Sequence, residues 1–434
     1  MARTRNPNAR LRELLNEANL TQDILARAVN AAGAEIGLTL RYDRTSVAHW
    51  LAGSRPAERT VPLVCEVLSR RTRRAVTPQD AGLTTRVPQP TARPSGEPDR
   101  RLRELASGLS VHTPYRPAGS LPGPAARSEL HERLGRVPRE EAAGPLGGAV
   151  TFFTRAFLEQ GGGFARETLR TYLTEAVAER LRTAREAERR RLSPDASRLT
   201  LLLGRMYADD LHHGAAQHCY REAWRLAAEA RHLEPAVIAL RTLSAQAHQL
   251  GQRRIAGTTA GLAADAARKA PPAVQAFTQT QLAVVAAHRG DRADALSALA
   301  RADRATGDRA DEPSAERYGR ADFEYQRAET LLALHDGSAA VRAFEDALSA
   351  RSRDDRRGAA MTRLRLAAAL LSQGRVDEAL QHERPLSREC AELRTAALTV
   401  PSAALRRSLA TRTARDRGKR VVQGRREAGA AEER

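Results

Sequence analysis

The chain has 434 residues, 71 Lys and Arg against 52 Asp and Glu, a formal net charge of +19 and only 4% aromatic residues. That length predicts two or three domains with ample chain for a core, and few aromatics beside abundant Ala and Leu favour helix-on-helix packing over sheet. Cys65, Cys219 and Cys390 lie far apart without paired spacing, which argues against a disulfide framework or a Cys-rich zinc site and fits a reducing cytoplasm.

The start Met1–Pro7 lacks the apolar segment of a secretory leader. The longest apolar runs, such as Leu199–Leu203 and Leu282–Ala287, are too short to span a bilayer. The expected protein is therefore all-α, soluble and cytoplasmic, with no membrane partner. Its positive charge suggests a polyanionic partner. Only Lys269 and Lys419 are lysines, however, so arginine is scattered throughout and charge alone locates no binding face.

In chain order, Asn8 is placed to cap a helix carrying Leu11, Leu14, Leu15 and Ala18 on one face, broken at Asn19-Leu20. Thr21 caps a second helix, Gln22–Val29, with Ile24, Leu25, Ala28 and Val29 inward. Residues 30–42 read as a longer loop or a small hairpin. Asp43 then caps a short helix in which Val47, Trp50 and Leu51 form one apolar stripe. Arg44, Thr45, Ala48 and His49 are left on its outer face. Gly53 supplies a left-handed C-terminus and Pro56 prevents resumption. A further apolar helix, Leu63–Leu68, follows Pro62. Short helices in this order predict a compact helix-turn-helix unit over 1–83, and a short donor-rich helix suits a DNA major groove.

Thr21-Gln22, Leu25-Ala26, Val47, Trp50, Gly53 and Pro56 stand in the order found in phage-repressor-like regulators, with Ala26 small enough for close helix approach. The run Arg41–Gly53 resembles actinobacterial regulators that join such an XRE/Cro-type domain to helical repeats. Residues 1–8 and 76–83 are similar to the same group. The insert 30–42 departs from the short turn usual between the two helices of the motif. The resemblance implies a transcriptional regulator of development and antibiotic production, often a negative one, with double-stranded DNA as partner and binding as a homodimer. It further implies that Arg44, Thr45 and His49 face base edges, with Ser46 and Gln22 nearer phosphates. Leu25, Ala26, Val47, Trp50 and Gly53 would form the structural core beneath them.

Ten of the 21 prolines fall between 84 and 148, predicting a Pro-rich, extended linker interrupted by a short docking helix at Asp99–Leu109. Helical periodicity returns at Ala149 and is steady over Phe164–Ala184. Gly161-Gly162-Gly163 before it reads as a hinge or loop, since it lacks the strand and Lys-Ser/Thr of a phosphate-binding loop. A tetratricopeptide-like skeleton follows. Leu203-Gly204 and Tyr207 precede Ala216, Tyr220 and Ala223, and the small anchor recurs at Ala256, Ala295, Ala340 and Ala379. The repeat domain spans 149–405, a stack of five hairpins expected to form a superhelix with a concave groove. Its roles would be dimerisation, ligand binding, or holding a peptide or protein. Residues 406–434 carry ten basic residues against four acids and read as a basic disordered tail.

No catalytic constellation emerges. The densest candidate, His212-His213 with His218-Cys219, places adjacent side chains on diverging directions of a helix, so no metal or other cofactor is expected. The leading expectation is a non-enzymatic DNA-binding regulator. The alternative is a non-catalytic helical-repeat scaffold whose N-terminal domain docks a protein rather than DNA.

Overall fold

The computed structural model describes residues 7–35, 38–57, 60–72, 76, 78, 80–83, 98–108, 113, 115–116, 144–306 and 318–432, with backbone alone for 35, 70, 105–108 and 415–432. Every regular element among them is helical.

The N-terminal unit is organised by Asn8. Its side-chain oxygen accepts the Leu11 N–H (3.0 Å) and caps α1 (Ala9–Glu17). Its Nδ2 donates to the carbonyls of Ala81 (2.9 Å) and Gly82 (3.2 Å), and its backbone N–H to Leu51 (2.9 Å). One residue thus ties the start of the unit to its end. Thr21 caps α2 (Gln22–Glu35) by accepting the Ile24 N–H (3.2 Å).

This helix runs past Val29 to Glu35, which corrects the reading of 30–42 as a loop or hairpin. Ala31, Ala32 and Ala34 extend the helix readily. Gly33 is a close approach, because a Cβ there would lie 2.5 Å from Leu40 Cδ1. The chain then returns extended over 38–43. The Asn30 amide donates to Tyr42 O (2.7 Å) and accepts its N–H (2.9 Å), doing for this segment what a neighbouring strand would do.

Asp43 caps α3 (Arg44–Leu51), and α4 (Val61–Thr72) completes the unit. Leu11, Leu25, Ala26, Val29, Val47, Val64 and Leu68 are wholly buried between these helices. Trp50 is 4% exposed and meets Tyr42 edge-on at 5.0 Å.

Within the proline-rich stretch, α5 (Pro98–Gly108) docks on the repeat domain; most of the remaining expected linker lies outside the described residues. Leu102 joins the core of Phe153, Leu169 and Leu181. Arg101 is buried with Glu222 (2.7 Å) and also reaches Glu229 (2.6 Å). Then come α6 (Gly147–Gln160) and α7 (Gly162–Thr171), the latter continuing through a π-helical turn, Tyr172–Val177, into α8 (Ala178–Thr183).

Five hairpins follow among the described residues: α9 (Glu186–Asp209) with α10 (His213–Glu229), α11 (Leu233–Gln249) with α12 (Arg253–Ala266), α13 (Pro272–Arg289) with α14 (Arg292–Thr306), α15 (Arg320–Ala333) with α16 (Gly337–Ser349), and α17 (Arg356–Ser372) with α18 (Val376–Glu392). Ala216, Ala256, Ala295, Ala340 and Ala379 each occupy the fourth position of a second helix, and each is 0% exposed. A methyl group at that place lets the two helices close directly above the turn. In the first hairpin Gly204 is matched to Tyr220, whose ring would sit 2.6 Å from a Cβ at 204. The all-α, tetratricopeptide-like stack is therefore built from the spacing of small residues.

The last helix, α19 (Ala396–Glu432), covers the final hairpin with Leu398, Leu405 and Leu409. The tail 406–434, expected to be disordered, is helical as far as Glu432. Its Ala and Arg content carries high helix propensity, and that outweighs its charge.

Two predictions follow from packing and turn geometry. Trp50→Ala removes a buried indole and is expected to cost about 3–5 kcal/mol, read as loss of the N-terminal unit's own melting transition or chemical-shift dispersion. Each hairpin turn holds one residue at positive φ: Leu211 (64°), Gly251 (75°), Gly290 (87°), His335 (62°) and Gly374 (79°). A left-handed L-residue costs roughly 1–2 kcal/mol, of which glycine's extra unfolded-state freedom returns a part. The exposed His335→Gly is thus expected to stabilise by up to about 1 kcal/mol, and Gly374→Ala to destabilise by about 1–2 kcal/mol. Denaturant midpoints moving in the same direction for both would refute this account of the turns.

Candidate partner-binding groove

On α3 the side chains of Arg44, Thr45 and His49 are exposed together on one face. Ser46 does not join them: its hydroxyl donates to Asp43 Oδ1 (2.7 Å) while that carboxylate accepts the Ser46 N–H (2.8 Å). These two bonds hold the Asp43 carboxyl below its ordinary range. Gln22 is half-buried at the start of α2. Leu25, Ala26, Val47 and Trp50 lie in the core beneath, and Gly53 ends the helix at φ 96°.

A second constellation lies inside the repeat domain, where α6 and the first helices of the hairpins face one another. Phe157 of α6 meets two guanidinium groups, Arg205 of α9 at 5.0 Å and Arg357 of α17 at 4.6 Å from the ring centroid. Arg241 of α11 stacks 4.0 Å over Phe277 of α13 and reaches its carbonyl (Nε to O, 3.4 Å). Tyr318 bonds to Thr280 (3.0 Å) and Tyr325 packs edge-on to Phe344. Arg351 is held between Asp322 (3.2 Å) and Asp355, and Arg365 chelates Glu329.

Charge pairing separates these cations into two groups. Arg357, Arg351 and Arg365 each have a carboxylate. Arg205 and Arg241 have aromatic faces but no carboxylate partner among the described residues. Burial pulls the Arg205 guanidinium below its usual pKa, and the neighbouring Arg357 charge adds to this. Burial likewise brings Arg241 down to about 10, against small opposing effects from Tyr318 and Asp322. Arg241 is 8% exposed, whereas Arg205 is an exposed side chain. Together they mark an inner recess of the array with a surplus of positive charge among the described residues.

The recess exists because the array closes on itself. Asp209, at the end of α9 with a fully buried side chain, accepts the Gly162 N–H (2.9 Å) and Arg357 Nε (2.8 Å). Gly163 donates to Arg394 O (2.9 Å), and Arg394 N–H to Gln160 O (3.0 Å). The front helices are thus joined to the fifth hairpin and to the turn before α19. Gly161-Gly162-Gly163, expected as a hinge or loop, is the seat of this junction. A Cβ on Gly162 would lie 2.7 Å from both Met206 O and Asp209 Cβ.

Sequence reasoning missed Phe157, Arg205, Arg241 and Arg357. The available signal was Arg205 directly after the Gly204 that receives Tyr220, but it was hidden by arginine at so many other positions. At His212–Cys219 the Cys219 thiol is buried, and burial lowers His218 to about 4. Among the described residues no group of three His, Cys, Asp or Glu is arranged to hold a metal, and no helix is long and apolar enough to cross a membrane.

A family model described as the SP15 N-terminal domain matches residues 11–84, the N-terminal unit alone. Among solved structures the chain is similar to the crystal structure of yeast Tom70, with 14% identity and a TM-score of 0.36 over 94% of this chain and 82% of that one. No curated protein matches.

The partner expectation is corrected accordingly. Double-stranded DNA is set aside as the partner, since the family model that matches is the SP15 N-terminal domain over residues 11–84.

The closure makes a two-part prediction. Gly162→Ala forces backbone apart and is expected to cost about 1–3 kcal/mol. Asp209→Asn leaves the Arg357 charge buried without its partner, a change that costs about 3–5 kcal/mol at buried pairs. Burial alone would raise the Asp209 carboxyl, but Arg357 and the hydrogen bonds overcome it and hold it low. A depressed folded-state pKa adds stability above the ordinary carboxylate range of about 3.9, lost as pH falls below it. Melts from pH 7 to 3 should show a wild-type decline that is shallower in Asp209→Asn; identical slopes would remove Asp209 from the account.

Proposed function

We propose that this chain is a non-catalytic helical-repeat scaffold that holds a segment of a partner protein in the recess of its closed repeat array. In this reading the N-terminal unit is a second docking surface, presenting Arg44, Thr45 and His49 to protein. The observation that carries it is the closed array of five hairpins, whose interior sets Arg205 and Arg241 against aromatic rings while the carboxylates described there are paired with other arginines. A cation as buried as Arg241 is ordinarily paired, because desolvation costs several kcal/mol per ion. Cations left unpaired are prepared for something that arrives from outside. The helical hairpins meanwhile supply a rigid frame, as binding surfaces require.

The reading is tested with a photo-crosslinking residue at Tyr325 of the full chain in its native cells, and at the exposed Arg268 as control. Adducts to a defined segment of another protein at 325, absent at 268, are expected. Adducts at 325 that join only this chain to itself, or to nucleic acid, would overturn the scaffold reading.

A further inference from the structure

We propose that α5 is a resident ligand: the face it covers is a helix-binding cradle, and an arginine-bearing amphipathic helix of a partner protein takes its place there. The cradle is formed by α8, the π-helical turn before it and α10, not by the helices that line the recess. The inference therefore goes beyond the scaffold reading and is tested apart from it.

The cradle sets acid around an apolar opening, and α5 answers it with three consecutive residues. Arg101 gives Nε to Glu222 (2.7 Å) and Nη2 to Glu229 (2.6 Å), both on α10. Leu102 is wholly buried in the core it shares with Leu169 and Leu181, and Arg103 reaches Glu179 of α8 (2.9 Å). The Glu222 side chain is 4% exposed, and burial raises its carboxyl above the ordinary range against the pull of Arg101. A carboxylate in that position needs a cation brought to it. Arg225, itself partly exposed, supplies one contact at 3.3 Å, whereas Arg101 supplies a charge-assisted bond of the strong kind.

What holds α5 is short and local. Asp99, Arg101 and Leu102 are buried, while Arg100, Arg103 and Glu104 are exposed. Its 11 residues fall short of the ~12–15 at which an isolated helix is even marginal in water, so α5 is helical because it is docked. Residues 84–97 separate it from the N-terminal unit. Beyond it the chain is pinned at Arg116, whose main chain exchanges two hydrogen bonds with Gln217 of α10 (2.9 and 3.0 Å). On release α5 thus stays close to its cradle, and a rival helix competes against that high local concentration. Charge selects the rival. Three carboxylates repel nucleic acid and acidic segments, and the place of Leu102 asks for an apolar side chain directly after the arginine.

The probe is a fluorescein-labelled peptide of this chain's own residues 97–109, followed by anisotropy. It is titrated with the full-length wild-type chain and with full-length Arg101→Glu, in which α5 meets Glu222 and Glu229 with like charge and vacates the cradle. The variant is expected to bind the peptide about tenfold or more tightly than wild type does. A peptide with Ala in place of Arg101 and Leu102 should bind the variant about tenfold more weakly, and Glu222→Gln added to the variant should weaken the original peptide likewise. Hydrogen exchange on the wild-type chain supplies a readout that needs no substitution. The α5 amides should exchange faster than those of α9 and α10, and excess unlabelled peptide should speed them further while leaving α13 and α14 unchanged.

Three results would each overturn the inference and make α5 a fixed part of the repeat domain. They are binding by a helical Arg101→Glu chain no tighter than by wild type, equal binding of the Ala peptide, and α5 amides as slow as those of α9 and indifferent to the peptide. Should Arg101→Glu lose its helical signal, the exchange measurement on the wild-type chain decides alone. None of these outcomes bears on crosslinking at position 325, which tests the recess.

Discussion

The carboxylate of Asp209 is the point on which the repeat domain depends. It is wholly buried at the end of α9, and it satisfies one backbone donor from the front of the array and one guanidinium from the back. Around it the glycines at 161–163 bring backbone within contact of α9 and of Arg394, a closeness that any side chain would prevent. Stacks of helical hairpins ordinarily need contacts only between neighbours. Here residues 148 positions apart in sequence are bonded directly. The approach of Arg357 to Phe157 beside Arg205 follows from that bond.

The same closure creates the electrostatic imbalance. Bringing α6, α9, α11, α15 and α17 around one interior gathers arginines that would be dispersed on an open array. Three are neutralised by carboxylates in the same interior, while Arg205 and Arg241 rest on aromatic faces, where cation–π attraction offsets part of the desolvation. For the buried Arg241 that offset leaves the guanidinium below its usual range, with burial the main cause. Stability and binding therefore draw on the recess in opposite ways.

Much of the architecture is legible in the residues. Ala216, Ala256, Ala295, Ala340 and Ala379 announce five hairpins because only a methyl fits where two helices cross above their turn. Asn8, Thr21 and Asp43 announce three helix starts because their side chains have few other uses at those places. What was not legible depends on distance. The glycines at 161–163 look like a hinge locally, and nothing near them in sequence hints at Arg394 or Met206. Arg205 and Arg241 are indistinguishable from other arginines until their neighbours are known to lack free acids. The extension of α2 to Glu35 was obscured by Gly33, whose place in a helix makes sense only once Leu40 is seen to fill the space. On α3, the sequence places Ser46 nearer phosphates, whereas its hydroxyl serves the cap of its own helix.

Joining the two ends of the array also fixes how many hairpins it can hold. An open solenoid tolerates gain or loss of a unit, since each unit answers only to the next. In this chain a duplicated hairpin would carry α17 past Asp209, and a deleted one would leave it short, so either change would break the Arg357 contact. The repeats are thereby bound into a set of definite size. Lineages of this protein should vary in the turns and outer faces of the hairpins while keeping their number constant.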